Sequence, residues 1–173
     1  IRRSGSTTNT MNPLHLVPND SPSMPVVLYV DDDNANRQAF QAAFRRHFVV
    51  RTAAGMEEAW AWLNRGGVDV LITDQRMPGI TGSELLHLVK ERFPTVRRML
   101  MTGFADVQAV IDAVNRGGLT HYLSKPWDPG EVILAVDQAV ADLRREREQR
   151  AFTEQLVESN RQLEFALRQR LLS

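Results

Sequence analysis

Short apolar runs alternate with amphipathic stretches along most of this chain. The runs Val26–Val30, Phe48–Thr52, Val68–Thr73, Arg98–Met101 and Thr120–Leu123 are brief and rich in β-branched or large apolar residues, which predicts strands. Between them, Asn34–Arg46, Met56–Asn64, Gly82–Arg92, Asp106–Asn115 and a segment from Pro129 onward carry apolar residues at helical spacing. Gly66-Gly67 and Gly117-Gly118 follow helical periods, where a left-handed residue closes a helix. Regular alternation of strand and helix predicts an α/β fold of five βα units around a parallel sheet.

The two ends depart from this pattern. Residues 1–25 hold clusters of Ser, Thr, Asn and Pro without apolar period, which reads as a disordered or vector-derived segment. Ile1-Arg2-Arg3 is not a natural initiation, so Met11 or Met24 is a candidate first residue. Beyond Leu143, Arg144–Arg150 is wholly polar yet nothing in it breaks a helix, so the last helix is expected to run on. Glu146/Arg150 and Glu164/Arg168 place opposite charges four apart, each pair worth about 0.2–0.5 kcal/mol. Leu156, Asn160, Leu163 and Leu167 approximate a heptad seam over barely two repeats. Residues 144–173 therefore read either as a solvated linker helix or as a short coiled coil that pairs two copies.

Composition narrows the picture. A chain of 173 residues that is 43% hydrophobic can build one domain, placed at residues 26–143, plus extensions. With 21 basic and 21 acidic residues its formal net charge is zero, so no broad lure for nucleic acid or an anionic membrane is expected from this chain. It has no cysteine, which excludes a disulfide framework, a thiolate metal site and a thiol nucleophile. Neither a secretory leader nor a long uncharged apolar stretch is recognisable, and a reducing cytoplasm fits best.

The chemistry sits where predicted strands end. Asp31-Asp32-Asp33 follows the first run, Asp74 ends the third, Thr102 ends the fourth, and Lys125 follows the fifth. Taken singly, each has a plain structural reading: an acid before a helix caps it, and a surface lysine is solvated. Taken together, in a doubly wound sheet of order 2-1-3-4-5, strands one and three flank the switch point where ligands of such sheets collect. One pocket would then receive Asp31, Asp32, Asp74, Thr102 and Lys125. Crowded carboxylates repel one another unless a divalent cation neutralises them, and hard oxygen ligands point to Mg²⁺.

Four segments carry a resemblance: Val27–Asp33, Ile72–Gly82 around Asp74-Gln75-Arg76-Met77-Pro78-Gly79, Met99–Gly103, and Tyr122–Trp127. In order and spacing they resemble the receiver domain of bacterial two-component response regulators, over about Val26 to Leu143. The resemblance implies a flavodoxin-like fold and a phosphorelay function. Asp74 would be the phosphoacceptor, Asp31 and Asp32 the Mg²⁺-binding acids, and the Arg76 carbonyl a further metal ligand. Thr102 and Lys125 would bind phosphoryl oxygens, Tyr122 would be the aromatic switch, and Lys125-Pro126 matches a bond often cis in the family. The implied partner is a sensor histidine kinase or phosphotransfer protein, and the implied role is acceptor rather than turnover enzyme. Arg76 and Phe104, two residues beyond Asp74 and Thr102, are large where the family flanks the route of an attacking water, which predicts slow dephosphorylation. Asp74–Gly79 with Lys125–Asp128 is most similar to receivers that precede enhancer-type activators or cyclic-di-nucleotide phosphodiesterases.

Three other readings explain less. A phosphohydrolase with a strand-end aspartate nucleophile wants an acid where Arg76 stands. A flavin carrier would find its phosphate repelled by Asp31-Asp32-Asp33. A phosphotransfer histidine, His87 or His121, would belong to a four-helix bundle rather than to βα units.

Overall fold

The computed structural model describes residues 23–116 and 118–173, apart from the Phe104 side chain. Five strands, β1 (Val26–Val30), β2 (Val49–Ala53), β3 (Val70–Asp74), β4 (Arg97–Thr102) and β5 (His121–Ser124), pair in parallel in the order 2-1-3-4-5. Helices α1 (Asn34–Phe44), α2 (Met56–Arg65), α3 (Gly82–Arg92), α4 (Val107–Asn115) and α5 (Pro129–Leu171) connect or follow them. This is the flavodoxin-like architecture expected, with an extended C-terminal helix.

Alternation along the strands builds a core on each face of the sheet. Val27 and Tyr29 of β1, Val70 and Ile72 of β3, and Met99 and Met101 of β4 pack against Phe40 and Phe44 of α1 and Val132, Val136 and Val140 of α5. Leu28 and Val30, Leu71 and Leu100 face the other way, onto Ala59 and Leu63 of α2, Leu85 and Val89 of α3, and Ala113 of α4. Every strand runs toward the same edge, so Asp31, Asp74, Thr102 and Lys125 emerge side by side at the carboxyl ends.

Several expected boundaries shift by one or two residues, since end residues pair or not according to neighbours that a single run does not reveal. Strands β2, β3 and β5 start later than expected and run to Ala53, Asp74 and Ser124, so Asp74 is itself the last strand residue. Helix α1 stops at Phe44, and a turn of 3₁₀ helix, Phe104–Asp106, precedes α4. Gly66 closes α2 in the left-handed region with φ 77°, as its position predicts. The matching expectation for α4 fails in part. That helix is capped by Arg116 at φ −78°, and Gly117 lies outside the described residues. Gly118 is buried beside α3, where a Cβ would meet the His87 backbone nitrogen at an ordinary contact distance of 3.4 Å. The expected disorder of residues 1–25 also falls largely outside the described residues, which begin at Ser23.

Candidate functional site

The β1–α1 junction divides its three acids by role. Asp33 is the N-cap of α1, its side chain accepting from the Asn36 amide at 3.1 Å. That leaves Asp31 and Asp32 free of capping: Asp31 is fully buried at the strand end, whereas Asp32 is exposed. Asp31 Oδ1 accepts from the Asp33 amide at 2.9 Å, and Oδ2 accepts from Tyr29 Oη at 2.8 Å and Asn36 Nδ2 at 3.1 Å. Arg37 donates to the Asp31 carbonyl at 2.7 Å, which ties the first turn of α1 to the end of β1.

Asp74 lies across from this pair. Its Oδ1 accepts from the Gln75 amide at 2.9 Å and from Lys125 Nζ at 2.9 Å, while Lys125 Nζ also stands 3.6 Å from Asp31 Oδ2. Burial pushes the Asp74 carboxyl above its usual range, the lysine pulls it back, and the Asp31 charge adds to the upward push. Ligand oxygens of Asp31, Asp32 and Asp74 all lie within 4.8 Å of one another. Three hard oxygen donors at that spacing form a donor set suited to a small divalent cation such as Mg²⁺.

The loop after Asp74 is held by contacts that sequence reasoning missed. Buried Gln75 bonds Ser83 through both ends of its amide, accepting from the Ser83 amide at 2.9 Å and donating to Ser83 Oγ at 3.3 Å. Gly82 is there by necessity, because a Cβ on it would fall 2.2 Å from the Asp74 carbonyl oxygen. Thr81 and Glu84 complete a reciprocal capping box that starts α3, a Thr-x-x-Glu pattern readable in the sequence.

Thr102 and Tyr122 lie on the β4–β5 side of the acid cluster. The Thr102 hydroxyl donates to the Gly103 carbonyl at 2.8 Å and reaches Asp106 Oδ2 at 3.4 Å, while Asp106 Oδ1 accepts from Arg76 Nε at 3.1 Å. Asp106, another residue the sequence did not single out, thus joins the loop after β3 to the loop after β4. Tyr122 is 38% exposed and its hydroxyl meets the Thr102 carbonyl at 3.4 Å. The Lys125–Pro126 bond is cis. Arg76 extends outward with its side chain 72% exposed, and the Phe104 side chain is outside the described residues. His87 pairs with Glu91 on α3 and His121 is exposed on β5, so neither histidine joins the acid cluster.

Comparison with known proteins points the same way. The family model described as response regulator receiver domain matches residues 27–137. The hydrogenase transcriptional regulatory protein HoxA of Cupriavidus necator is 40% identical over 120 residues, covering 69% of this chain and 25% of that protein. The DNA-binding transcriptional regulator NtrC of Proteus hauseri is 32% identical over 123 residues, covering 70% of this chain and 26% of that one. A signal receiver domain of an HD domain-containing protein from Pseudomonas fluorescens superposes with a TM-score of 0.68 at 32% identity, covering 72% of this chain and 93% of that one. The chain thus spans about a quarter of the length of these curated relatives.

Proposed function

This chain belongs to the response regulator receiver domain family, and from that premise we propose that Asp74 accepts a phosphoryl group from a sensor histidine kinase or phosphotransfer protein. The observation that carries the reading is the convergence of Lys125 Nζ, 2.9 Å from Asp74 Oδ1, with the Asp31 and Asp32 carboxylates at adjoining strand ends. Asp31, Asp32 and Asp74, with the Arg76 carbonyl, would hold Mg²⁺, which supplies neutralisation of anionic oxygens when bound.

An Asp74 carboxylate oxygen attacks phosphorus as the phosphorus–nitrogen bond of the donor phosphohistidine breaks, its electron pair staying on the imidazole. Lys125 offsets the charge of the incoming group, and the Gln75 amide fixes the carboxylate rotamer. The acyl phosphate then presents oxygens that draw the Thr102 hydroxyl from Gly103 and Asp106. Space vacated by Thr102 admits Tyr122, which stands outside in the unphosphorylated form. Its movement alters a surface of β4, β5 and α4 where Val107, Ile111 and Val114 are exposed, and this face contacts the output.

The chain is an acceptor rather than a turnover enzyme, working in the cytoplasm. No helix among the described residues is long and apolar enough to cross a membrane. Its balanced charge argues against nucleic-acid contact by these residues, whatever the DNA-binding relatives do with the rest of their length. A second copy is the partner of the exposed Leu156, Leu163 and Leu167 on α5. Intact-mass measurement after incubation with a small acyl phosphate tests the phosphoryl assignment. One added phosphoryl group is expected with Mg²⁺ and almost none with a chelator, and Asp74→Asn should remain unlabelled. Equal labelling of that variant sinks the assignment.

A further inference from the structure

Tyr29 lies beneath the acid cluster and is 1% exposed, its ring stacked on Phe40 with centroids 4.1 Å apart. A phenylalanine would fill that apolar position equally well, and a buried hydroxyl costs stability unless it finds a partner. The partner is Asp31 Oδ2, 2.8 Å away. A phenol is protonated at neutral pH, so the hydroxyl donates to that carboxylate.

Each carboxylate oxygen offers about two lone-pair directions. On Oδ2 both are taken, by Tyr29 from β1 and by Asn36 Nδ2 from α1, which leaves Lys125 at the longer distance of 3.6 Å. On Oδ1 the Asp33 amide takes one direction and leaves the other open. Donors arriving from two different elements fix the rotation of the carboxylate.

We propose that Tyr29, seconded by Asn36, is a positioning residue of the metal pocket: its hydroxyl occupies Asp31 Oδ2 and thereby presents the open lone pair of Oδ1 to a divalent cation or its water. The proposal rests on the reading that Asp31, Asp32 and Asp74 hold Mg²⁺. Without the hydroxyl, Oδ2 is free to rotate toward Lys125 and form a closer ion pair. That pair competes with the cation for Asp31 and draws the lysine from Asp74. A donor to a carboxylate also makes it a poorer ligand, but in a buried pocket with a cation 3.6 Å away, orientation outweighs basicity.

Calorimetric Mg²⁺ binding to the full chain tests this, comparing wild type with Tyr29→Phe and with Asn36→Ala. Tyr29→Phe keeps the stack on Phe40 and should lower Mg²⁺ affinity by about tenfold. Asn36→Ala, exposed and outside the aromatic stack, should lower it in the same direction, because both act on one oxygen. Unchanged affinity in Tyr29→Phe overturns the proposal, whereas a loss confined to Tyr29→Phe upholds the hydroxyl as the positioning group and overturns the share given to Asn36. A wild-type protein that binds no Mg²⁺ overturns the metal reading itself and the proposal with it.

Discussion

Asp74 is pulled two ways by its surroundings. Burial and the Asp31 charge raise its proton affinity, and Lys125 lowers it without winning. A carboxyl raised above its unfolded value favours the folded state at low pH, and that contribution is lost as pH rises through the folded value. In Mg²⁺-free buffer at neutral pH, Asp74→Asn should therefore raise the unfolding midpoint. The gain should shrink as pH falls through the raised Asp74 range, and thermal melts at several pH values check the sign. Arg76 offers a second prediction at this scale. Asp106 holds its exposed guanidinium between the loops after β3 and β4 at 3.1 Å, and we propose that its bulk and charge stand beside the approach of water to a phosphorylated Asp74. Arg76→Asn should speed loss of the phosphoryl group by about tenfold, equal to about 1.4 kcal/mol of barrier. Equal decay rates in labelled wild type and variant mean the side chain controls nothing. Asp31, Asp32, Asp74, Thr102 and Lys125 were legible in the sequence because each ends or follows an apolar run. Tyr29, Asn36 and Asp106 were not, since which face of a strand or which side of a turn meets the site is decided by packing between elements distant in sequence.

Strand and helix pattern carried nearly all of the element order, because parallel strands buried on both faces leave continuous apolar runs. What it could not carry was closure. Gly117-Gly118 resembles Gly66-Gly67 in sequence, yet Arg116 closes α4. Likewise Asp106 stands where an acid would cap α4, but makes no cap and spends its carboxylate on Arg76 and Thr102. Gly82 shows the same dependence on a neighbour. Its missing Cβ lets the first turn of α3 lie against the Asp74 carbonyl and Leu100. Gly82→Ala should destabilise the receiver by about 1–3 kcal/mol and displace the loop after Asp74. Urea unfolding measures the first effect, and slowed phosphoryl uptake reports the second.

Across the whole molecule, α5 links a buried half to an exposed one. Val132, Val136, Val140 and Leu143 face the core, and Leu143 is the last buried residue of the helix. The next turn still holds the base of the sheet, with Glu146 pairing Arg97 at 2.6 Å, Arg147 reaching Asp69 at 3.6 Å, and Arg144 bonding the Ser23 carbonyl at 3.1 Å. We propose the receiver at residues 26–143, closing at the last buried residue, and the extension at 144–173, whose first turn still touches the sheet before residue 150. Removing residues 150–173 should leave the fold intact and, if Leu156, Asn160, Leu163 and Leu167 form a seam between two copies, turn a dimer into a monomer. Light scattering across a concentration series decides it, and a full chain that stays monomeric at high concentration contradicts the seam.

The central claim is that the phosphoryl group forms an acyl phosphate on one carboxylate, and trapping that bond tests it most directly. After incubation with acyl phosphate and Mg²⁺, borohydride reduction converts a phosphorylated aspartate into its alcohol, which peptide mass spectrometry locates. The account predicts the reduced residue at position 74, with Asp31, Asp32 and His87 unmodified. Reduction at another aspartate, or a phosphoryl group that survives base and resists borohydride, contradicts it.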